Sequence, residues 1–285
     1  MPEVKRNKLP KMISAMADEK HREYFRLFYF QYMIVGLCTI LFLYSEISLV
    51  PRSQNVQFSL DNPSISKSYV ANELVGPLGC LILSVGLSNL VVFWTCMFDK
   101  DLLKKNRVTW IRERPDGISK DFHFMHTSLL CLMLIVSINA ALTGALKLII
   151  GNLRPDFVDR CIPDLQKISD SDSLVFGLDI CKQTNKWVLY EGLKSTPSGH
   201  SSFIVSSMGF TYLWQRAFTT RSTRSYIWCP LLALVVMVSR VVDHRHHWYD
   251  VVSGAVLAFL VIYGCWKWTF ANVPKRDILP SPVSV

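Results

Sequence analysis

Six long apolar segments dominate the sequence and decide what kind of fold the chain can adopt. They cover residues 28–49, 75–98, 127–149, 201–218, 226–242 and 251–270. Each approaches the ~20 residues that an α-helix needs to cross the hydrocarbon core of a bilayer. The segments are apolar on all sides, without the stripes of a soluble helix. The sequence therefore predicts an all-α polytopic membrane protein with six transmembrane helices.

The two ends of the chain are polar and lie outside these segments. We expect residues 28–270 to form a six-span domain, preceded by an N-terminal tail, residues 1–27, and followed by a C-terminal tail, residues 271–285. The N-terminal tail is basic and precedes an apolar run, as in a signal peptide. No small-residue cleavage site follows that run, so an uncleaved anchor is the better interpretation.

The distribution of positive charge predicts the orientation of the spans. Lysines and arginines number seven in the N-terminal tail, seven in residues 99–124, three in 215–225 and two in the C-terminal tail, against nine on the opposite side. Cytosolic segments are richer in these residues, so both termini should face the cytosol. The net charge of +9 would also suit a nucleic-acid partner. Its concentration in short segments between spans favours the topological role, and no nucleic-acid partner is predicted.

Residues 151–200 form a long polar segment on the non-cytosolic side of this topology. Such a segment is usually functional or disordered. Cys161 and Cys181 lie in it, in an oxidising compartment if the topology holds. They could form a disulfide, which contributes ~3 kcal/mol in the chain-entropy model, or remain two free thiols. The other six cysteines lie in apolar segments, and no Cys-x-x-Cys pair indicates a metal or redox site.

Charged residues at the ends of membrane spans are costly, and they usually have a function. Three clusters of this kind lie at the non-cytosolic ends of the third, fourth and fifth predicted spans. They are Lys147 to Pro155, Pro197-Ser198-Gly199-His200, and Ser239-Arg240 followed by His246 and Asp250. The topology is derived from hydropathy and loop charge and not from these clusters. That all three lie on the same side of the membrane is therefore a partly independent indication that they form one site.

Five of these residues predict a phosphate site. Lys147, Arg154 and Arg240 supply three cations, and the arginines add bidentate geometry. Ser198 and Gly199 open a helix, whose unpaired N–H groups and dipole favour an anion. Glycine also lets the backbone approach a ligand closely. Together these groups form a cradle that holds phosphate without a metal.

Three further residues are those that catalysis needs. On a helix, His246 and Asp250 would share a face, so that the carboxylate fixes the imidazole tautomer and leaves the other nitrogen free to attack. His200, on another helix, could protonate the leaving alkoxide and later activate water. We therefore predict His246 as the nucleophile, Asp250 as the group that orients it and His200 as the acid.

Each of these residues also has a simpler interpretation. Lys147 and Arg240 could reach from span ends to the membrane interface, and Arg154 with its proline could simply end a helix. The run His244–His247 could bind zinc, although three nearby cations disfavour a divalent ion. The co-occurrence of the three clusters in order favours the phosphate site, so neither a metal nor a cofactor is predicted.

The three clusters resemble the signature of the phosphatidic acid phosphatase type 2 superfamily. That signature is Lys-x6-Arg-Pro, Pro-Ser-Gly-His and Ser-Arg-x5-His-x3-Asp, and the sequence matches it without departure from Lys147 to Asp250. Flanking residues such as Asp243-His-Arg-His-His247 resemble the fungal lipid phosphate phosphatases. This likeness begins near Met12, so residues 1–11 are an upstream extension or an alternative start.

The resemblance implies an enzyme that converts phosphatidate to diacylglycerol and phosphate without magnesium, and that accepts lysophosphatidate and diacylglycerol pyrophosphate. It implies a phosphohistidine at His246, with Asp250 orienting it and His200 as the acid. It implies a membrane phospholipid as substrate, the bilayer as surroundings and a luminal site in a Golgi-type membrane. The number of subunits is not predicted. The phosphate-binding residues that it implies are Lys147, Arg154, Arg240, Ser198 and Gly199.

Two alternatives for the function stay open. A similar site could act on sphingoid-base phosphates, polyprenyl pyrophosphates or sugar phosphates. A lipid-binding or scrambling protein with an idle phosphate pocket is the non-catalytic alternative, but such a protein should have lost one of the two histidines or Asp250. The run from Arg107 to Pro115 has the spacing of the first motif with arginine in place of lysine. We interpret it as a basic segment of a cytosolic loop.

Overall fold

The computed structural model describes residues 19–51, 56–103, 116–169 and 173–270, and within them it is all-helical, with isolated bridges but no strand. Short 3-10 turns cover Lys100–Leu102, Leu178–Ile180 and Thr223–Tyr226. A π-helical turn covers Ile82–Gly86. The α-helices of the described residues are α1 (Glu19–Arg26), α2 (Tyr29–Ile47), α3 (Pro77–Phe98), α4 (Lys120–Ile150), α5 (Phe157–Cys161), α6 (Leu165–Ser169), α7 (Lys186–Glu191), α8 (Gly199–Phe218), α9 (Trp228–Val242) and α10 (Trp248–Phe270).

Five helical segments in the described part of the chain are long and apolar enough to cross a membrane. They are α2, α3, α4, α9 with the turn before it, and α10, and they coincide with five of the six predicted segments. The all-α class is thus confirmed for the described residues. Helix α8 lies where the fourth span was expected but is not among the five, so the six-span count stays a prediction.

Helix α8 is less apolar because it lies at the centre of the bundle, packed against α3, α4, α9 and α10. Its hydroxyl groups bond to those neighbours. The Oγ atoms of Ser202 and Thr143 lie 3.0 Å apart, and Thr211 Oγ1 donates to Ser88 Oγ at 2.9 Å. A helix surrounded by protein tolerates small polar side chains that a lipid-facing helix would leave unsatisfied.

The outer helices instead expose apolar side chains. In α2, Leu37 is 59% and Ile40 65% exposed, and 11% of the most apolar stretch of this helix is buried. Apolar surface of this extent is unfavourable in water and favourable in a bilayer. The chain is therefore an integral membrane protein.

The described residues of the polar segment after α4 are folded, and together with those of the α2–α3 connection they form a cap on one end of the bundle. We define the cap as two parts, residues 56–76 and residues 151–169 with 173–195. An apolar cluster that includes Phe58, Ile65, Phe157 and Leu189 joins its two parts. Most of the N-terminal tail, the C-terminal tail 271–285 and the Arg107–Pro115 run lie outside the described residues.

Within the second part of the cap, a disulfide joins α5 to the residue after the 3-10 turn Leu178–Ile180. Cys161 and Cys181 are bonded, with their Cα atoms 4.6 Å apart. The bond closes a loop with a sequence separation of 20 residues. It fits an oxidising compartment on the cap side of the membrane.

The disulfide predicts a mass difference on alkylation. Denatured protein treated with iodoacetamide should gain six labels without prior reduction and eight after reduction, because two of the eight cysteines form the disulfide and the other six keep their thiols. Intact-mass spectrometry reads the two numbers directly. Eight labels without reduction would show that Cys161 and Cys181 are free thiols.

Candidate active site

The C-terminal end of α4 supplies the first two cations. Lys147 lies in its last turn, and the helix ends at Gly151, whose φ of 59° is a left-handed conformation that glycine adopts without strain. The chain then enters the cap, where the N–H of Arg154 donates to the carbonyl of Gly192 at 2.8 Å. Both cationic side chains end up buried, each residue being 8% exposed.

The N-terminus of α8 lies beside these cations. As predicted, the Pro-Ser-Gly-His run opens a helix: Ser198 is its N-cap, and its hydroxyl accepts from the N–H of Ser201. A Cβ atom at Gly199 would lie 3.4 Å from Nζ of Lys147. Glycine therefore keeps the space between the ammonium group and the helix N-terminus open for a ligand.

His246 lies in the turn between α9 and α10, not on a helix. Its Nδ1 atom is 2.8 Å from the carbonyl oxygen of Ser195 in the cap. A carbonyl can only accept, so this hydrogen bond assigns the ring proton to Nδ1 and leaves the lone pair of Nε2 free. The imidazole is oriented as expected for a nucleophile, but the backbone carbonyl of Ser195 orients it and not the carboxylate of Asp250.

Asp250, in the first turn of α10, does not form the expected hydrogen bond to the imidazole. Its Oδ2 atom is 3.9 Å from Nδ1 of His246. Oδ2 instead accepts from Ser195 Oγ at 2.6 Å and from the N–H of His247 at 2.8 Å, while Oδ1 accepts from Thr196 Oγ1. The expectation that His246 and Asp250 share a helical face is wrong, because the helix begins after the histidine. Asp250 fixes the 195–196 turn, and the carbonyl of Ser195 in that turn binds the imidazole of His246.

One cavity of about 490 Å³ brings most of the predicted residues together. That volume is within the range of small-molecule sites. Ser198 and Asp250 are fully buried behind the cavity wall and support it. The predicted residues that line the cavity are Lys147, Arg154, Gly199, His200, Arg240 and His246.

Two of the predicted residues that line the cavity present buried atoms that need a partner. Nε2 of His200 and Nε of Arg154 have no hydrogen-bond partner among the described residues. Native proteins rarely leave such groups unsatisfied. Nε of Arg154 is a donor and therefore points to a ligand with an acceptor oxygen, whereas Nε2 of His200 can donate or accept according to its protonation.

Carboxylates that the sequence reasoning missed balance the three cations. A buried charge needs a partner of opposite sign. Glu46 could have been found, because a charged residue at the end of a predicted span is unusual. Glu73 and Glu191 lie in polar segments, where a carboxylate is ordinary. The pairs are Lys147–Glu46 at 3.5 Å, Arg154–Glu191 at 2.9 Å and Arg240–Glu73 at 2.7 Å.

Burial and charge set the ionisation of His246 and Glu191. Burial lowers the pKa of His246 well below 6.5, and the positive charges of Arg154 and Lys147 lower it further. Burial alone would raise the pKa of Glu191, but the charges of Arg154, Lys147 and Lys194 outweigh it and lower that pKa. At neutral pH the imidazole is therefore uncharged and the carboxylate ionised.

The structure does not gather the histidines of the His244–His247 run around one point. Nδ1 of His244 lies 3.1 Å from the carbonyl oxygen of Ser68, and Nδ1 of His247 lies 3.1 Å from Oδ2 of Asp250. In the described ranges, no group of three or more His, Cys, Asp or Glu side chains is arranged to hold a metal ion. The three rings therefore have separate roles.

The site combines three cations, a helix N-terminus, an uncharged imidazole with a free nitrogen and a second imidazole. Cations and N–H groups bind phosphate oxygens, a free imidazole nitrogen can accept a phosphoryl group, and the second ring can transfer protons. The fold and the site define a membrane-embedded enzyme of phosphoryl transfer.

Comparison with known proteins narrows this class. The PAP2 superfamily profile matches residues 128–274, just over half of the chain. The chain is 89% identical over 274 residues to "Lipid phosphate phosphatase 1" of Saccharomyces cerevisiae, covering 96% of the chain and 100% of that protein. No solved structure matches the chain. The chain belongs to the PAP2 superfamily, as expected, and is a phosphatase.

More distant relatives match about half of the chain. It is 35% identical over 164 residues to "Diacylglycerol pyrophosphate phosphatase 1" of the same yeast, covering 55% of each protein. It is 40% identical over 154 residues to "Phospholipid phosphatase 1" of Rattus norvegicus, covering 50% of the chain and 54% of that protein. The similarity is thus spread over fungal and animal proteins of this superfamily.

Proposed function

We propose that the chain is a magnesium-independent lipid phosphate phosphatase that hydrolyses phosphatidate, lysophosphatidate and diacylglycerol pyrophosphate. With phosphatidate, the products are diacylglycerol and phosphate. The observation that carries the proposal is the single cavity in which three cations, the N-terminus of α8 and two imidazoles meet. The names of the two yeast relatives, which act on lipid phosphates and on diacylglycerol pyrophosphate, support the substrate class.

The phosphate group binds first. Lys147, Arg154 and Arg240 hold its oxygens, and Ser198 and Gly199 present the start of α8. Their charges offset the dianionic phosphate, whose burial would otherwise cost several kcal/mol.

His246 then makes the nucleophilic attack. Nε2 forms a bond to phosphorus, and the bond from phosphorus to the lipid oxygen breaks, which yields a phosphohistidine. The carbonyl of Ser195 keeps Nδ1–H fixed and stabilises the positive charge that develops on the ring. Asp250 is a positioning residue, because it hydrogen-bonds to Ser195, Thr196 and the N–H of His247 and not to the imidazole of His246 itself.

His200 transfers the protons. The negative charge of the bound substrate favours the protonated form of its imidazole, which donates to the leaving oxygen. The neutral ring then accepts a proton from the water that attacks the phosphohistidine, and phosphate leaves. Nε2 of His200, buried and without a protein partner in the described residues, is available for both steps.

The wall of the cavity favours a lipid over a sugar phosphate. Phe42, Leu81 and Phe203 line it beside the cations, and they belong to helices α2, α3 and α8. An apolar wall next to a phosphate cradle suits a headgroup attached to acyl chains, whereas the hydroxyl groups of a sugar would lose hydrogen bonds to water there.

The arrangement in the membrane is part of the proposal. We infer that residues 28–270 form the phosphatase domain, that both tails are cytosolic and that the cap and the site face the lumen, as in a Golgi membrane. The excess of Lys and Arg in the cytosolic segments and the disulfide in the cap support this orientation.

Replacement of the nucleophile should abolish turnover. In detergent–lipid micelles with EDTA, the wild-type chain should release phosphate from phosphatidate, and His246→Ala should be slower by ~10³-fold or more. His244→Asn is the matched control: it changes a neighbouring histidine that hydrogen-bonds to the carbonyl of Ser68. Full activity of His246→Ala would contradict the proposed nucleophile, and a strict need for magnesium would contradict metal-free binding.

The pH dependence follows from the lowered pKa of His246. A protonated ring has no lone pair at Nε2, so kcat/KM falls as pH decreases through the pKa of the folded enzyme. That acid limb should lie below pH 6.5. A phosphate monoester itself has a pKa of ~6. The profile is therefore measured with two substrates whose phosphate groups differ in pKa. An acid limb that shifts with the substrate is assigned to the substrate and not to His246. A substrate-independent limb at or above pH 6.5 would contradict the neutral resting imidazole.

A further inference from the structure

Arg245 is a buried cation that the proposed mechanism does not use. It immediately precedes His246, is 5% exposed and lines the same cavity. It is not one of the three cations of the signature motifs. Burial of a guanidinium group is costly unless its N–H groups find partners, so the position of each donor is informative.

Contacts with the cap fix the far end of this side chain. Its Cζ atom lies 4.6 Å from the centre of the Tyr69 ring. Nη2 donates to the carbonyl of Val70 at 2.7 Å and lies 2.9 Å from Oε1 of Glu73. Nη1 lies 3.6 Å from Oδ2 of Asp156. The guanidinium group is therefore held in one orientation before any ligand binds.

The third nitrogen, Nε, is not used by these contacts. It is buried and has no hydrogen-bond partner among the residues that the structure describes. Arg154 Nε and His200 Nε2 share this property in the walls of the same cavity. Those two atoms adjoin the proposed site of phosphoryl transfer, so the same reasoning assigns Nε of Arg245 to an acceptor on the ligand.

Arg160 shows the contrast. It lines the same cavity, and its Cζ atom lies 4.7 Å from the Tyr69 ring. Its Nε and Nη2 atoms both donate to the carboxylate of Asp156 at 2.8 Å, and Nη1 donates to the carbonyl of Val188 at 3.3 Å. All three nitrogens have protein acceptors, so Arg160 braces the cap, whereas Arg245 keeps a donor for a ligand.

Glu73 places Arg245 beside the phosphate cradle. Its Oε1 atom is 2.9 Å from Nη2 of Arg245, and its Oε2 atom is 2.7 Å from Nη1 of Arg240. One carboxylate thus joins a signature cation to the additional one. A second anionic group on a substrate, next to the phosphoryl group under attack, would meet Arg245.

We propose that Arg245 binds the inner phosphate of lipid pyrophosphates and thereby sets the activity of the enzyme on phosphoanhydrides relative to its activity on monoesters. The inference rests on the proposed function. His246 Nε2 bonds to the outer phosphorus, and the bond from that phosphorus to the bridging oxygen breaks. The electron pair stays on that oxygen, so the inner phosphate leaves as a monoester, and water releases the outer phosphate from the histidine. Arg245 binds the charge on the leaving phosphate, which a monoester substrate lacks.

The test compares two substrates with identical acyl chains, diacylglycerol pyrophosphate and phosphatidate, in mixed micelles with EDTA. Arg245→Gln should lower kcat/KM for both, because Glu73 loses a partner, but the loss should be at least about 10-fold larger for the pyrophosphate. Arg245→Lys, which keeps the charge, should recover part of that difference. Lys182→Gln is the matched control: it removes one positive charge from a solvent-exposed ion pair in the cap, and it should leave both values unchanged.

The ratio of the two losses decides the outcome. Equal losses for both substrates in Arg245→Gln and Arg245→Lys, or no loss in either variant, would overturn the assignment. If Arg245→Gln does not fold, the same ratio is read from Arg245→Lys. An inactive wild-type chain would instead refute the proposed lipid phosphatase function, so the two failures are distinguishable.

Discussion

Buried cations paired with carboxylates surround His246 and hold the bundle and the cap together at the site. Cations at low dielectric cannot remain unbalanced, yet a phosphate site needs them to be present before the substrate arrives. The structure meets both conditions with Glu46, Glu73 and Glu191, each within 3.5 Å of a signature cation. Because these carboxylates hold the donors in place, little reorganisation is left for the proposed binding of phosphate.

That pairing explains why the site needs both the bundle and the cap. The cations come from the ends of α4 and α9 and from the start of the second half of the cap, whereas Glu73 and Glu191 lie in the cap itself. The carbonyl that orients the imidazole also belongs to the cap, at Ser195. The membrane helices therefore bring the signature residues to one end of the bundle, and the cap fixes their orientation.

The sequence predicted which residues lie together in the site better than it predicted the contacts between them. Hydropathy and loop charge suffice to place span ends on a common face, which is why Lys147 and Arg240 were expected together. The relation of His246 to Asp250 was misjudged, since a four-residue spacing does not reveal that α10 begins only at Trp248. Glu73 was missed because its partners lie far away in sequence. The low hydropathy of α8 reflects its central position, which only the packing reveals.

A covalent intermediate on His246 can be detected by trapping. Wild-type chain mixed with phosphatidate labelled at phosphorus and quenched in alkali within the first turnovers should carry label in one peptide, on His246, as phosphohistidine, which survives base and is lost in acid. His246→Ala should carry none. Turnover without a labelled enzyme at any quench time, or label on another residue, would contradict the account.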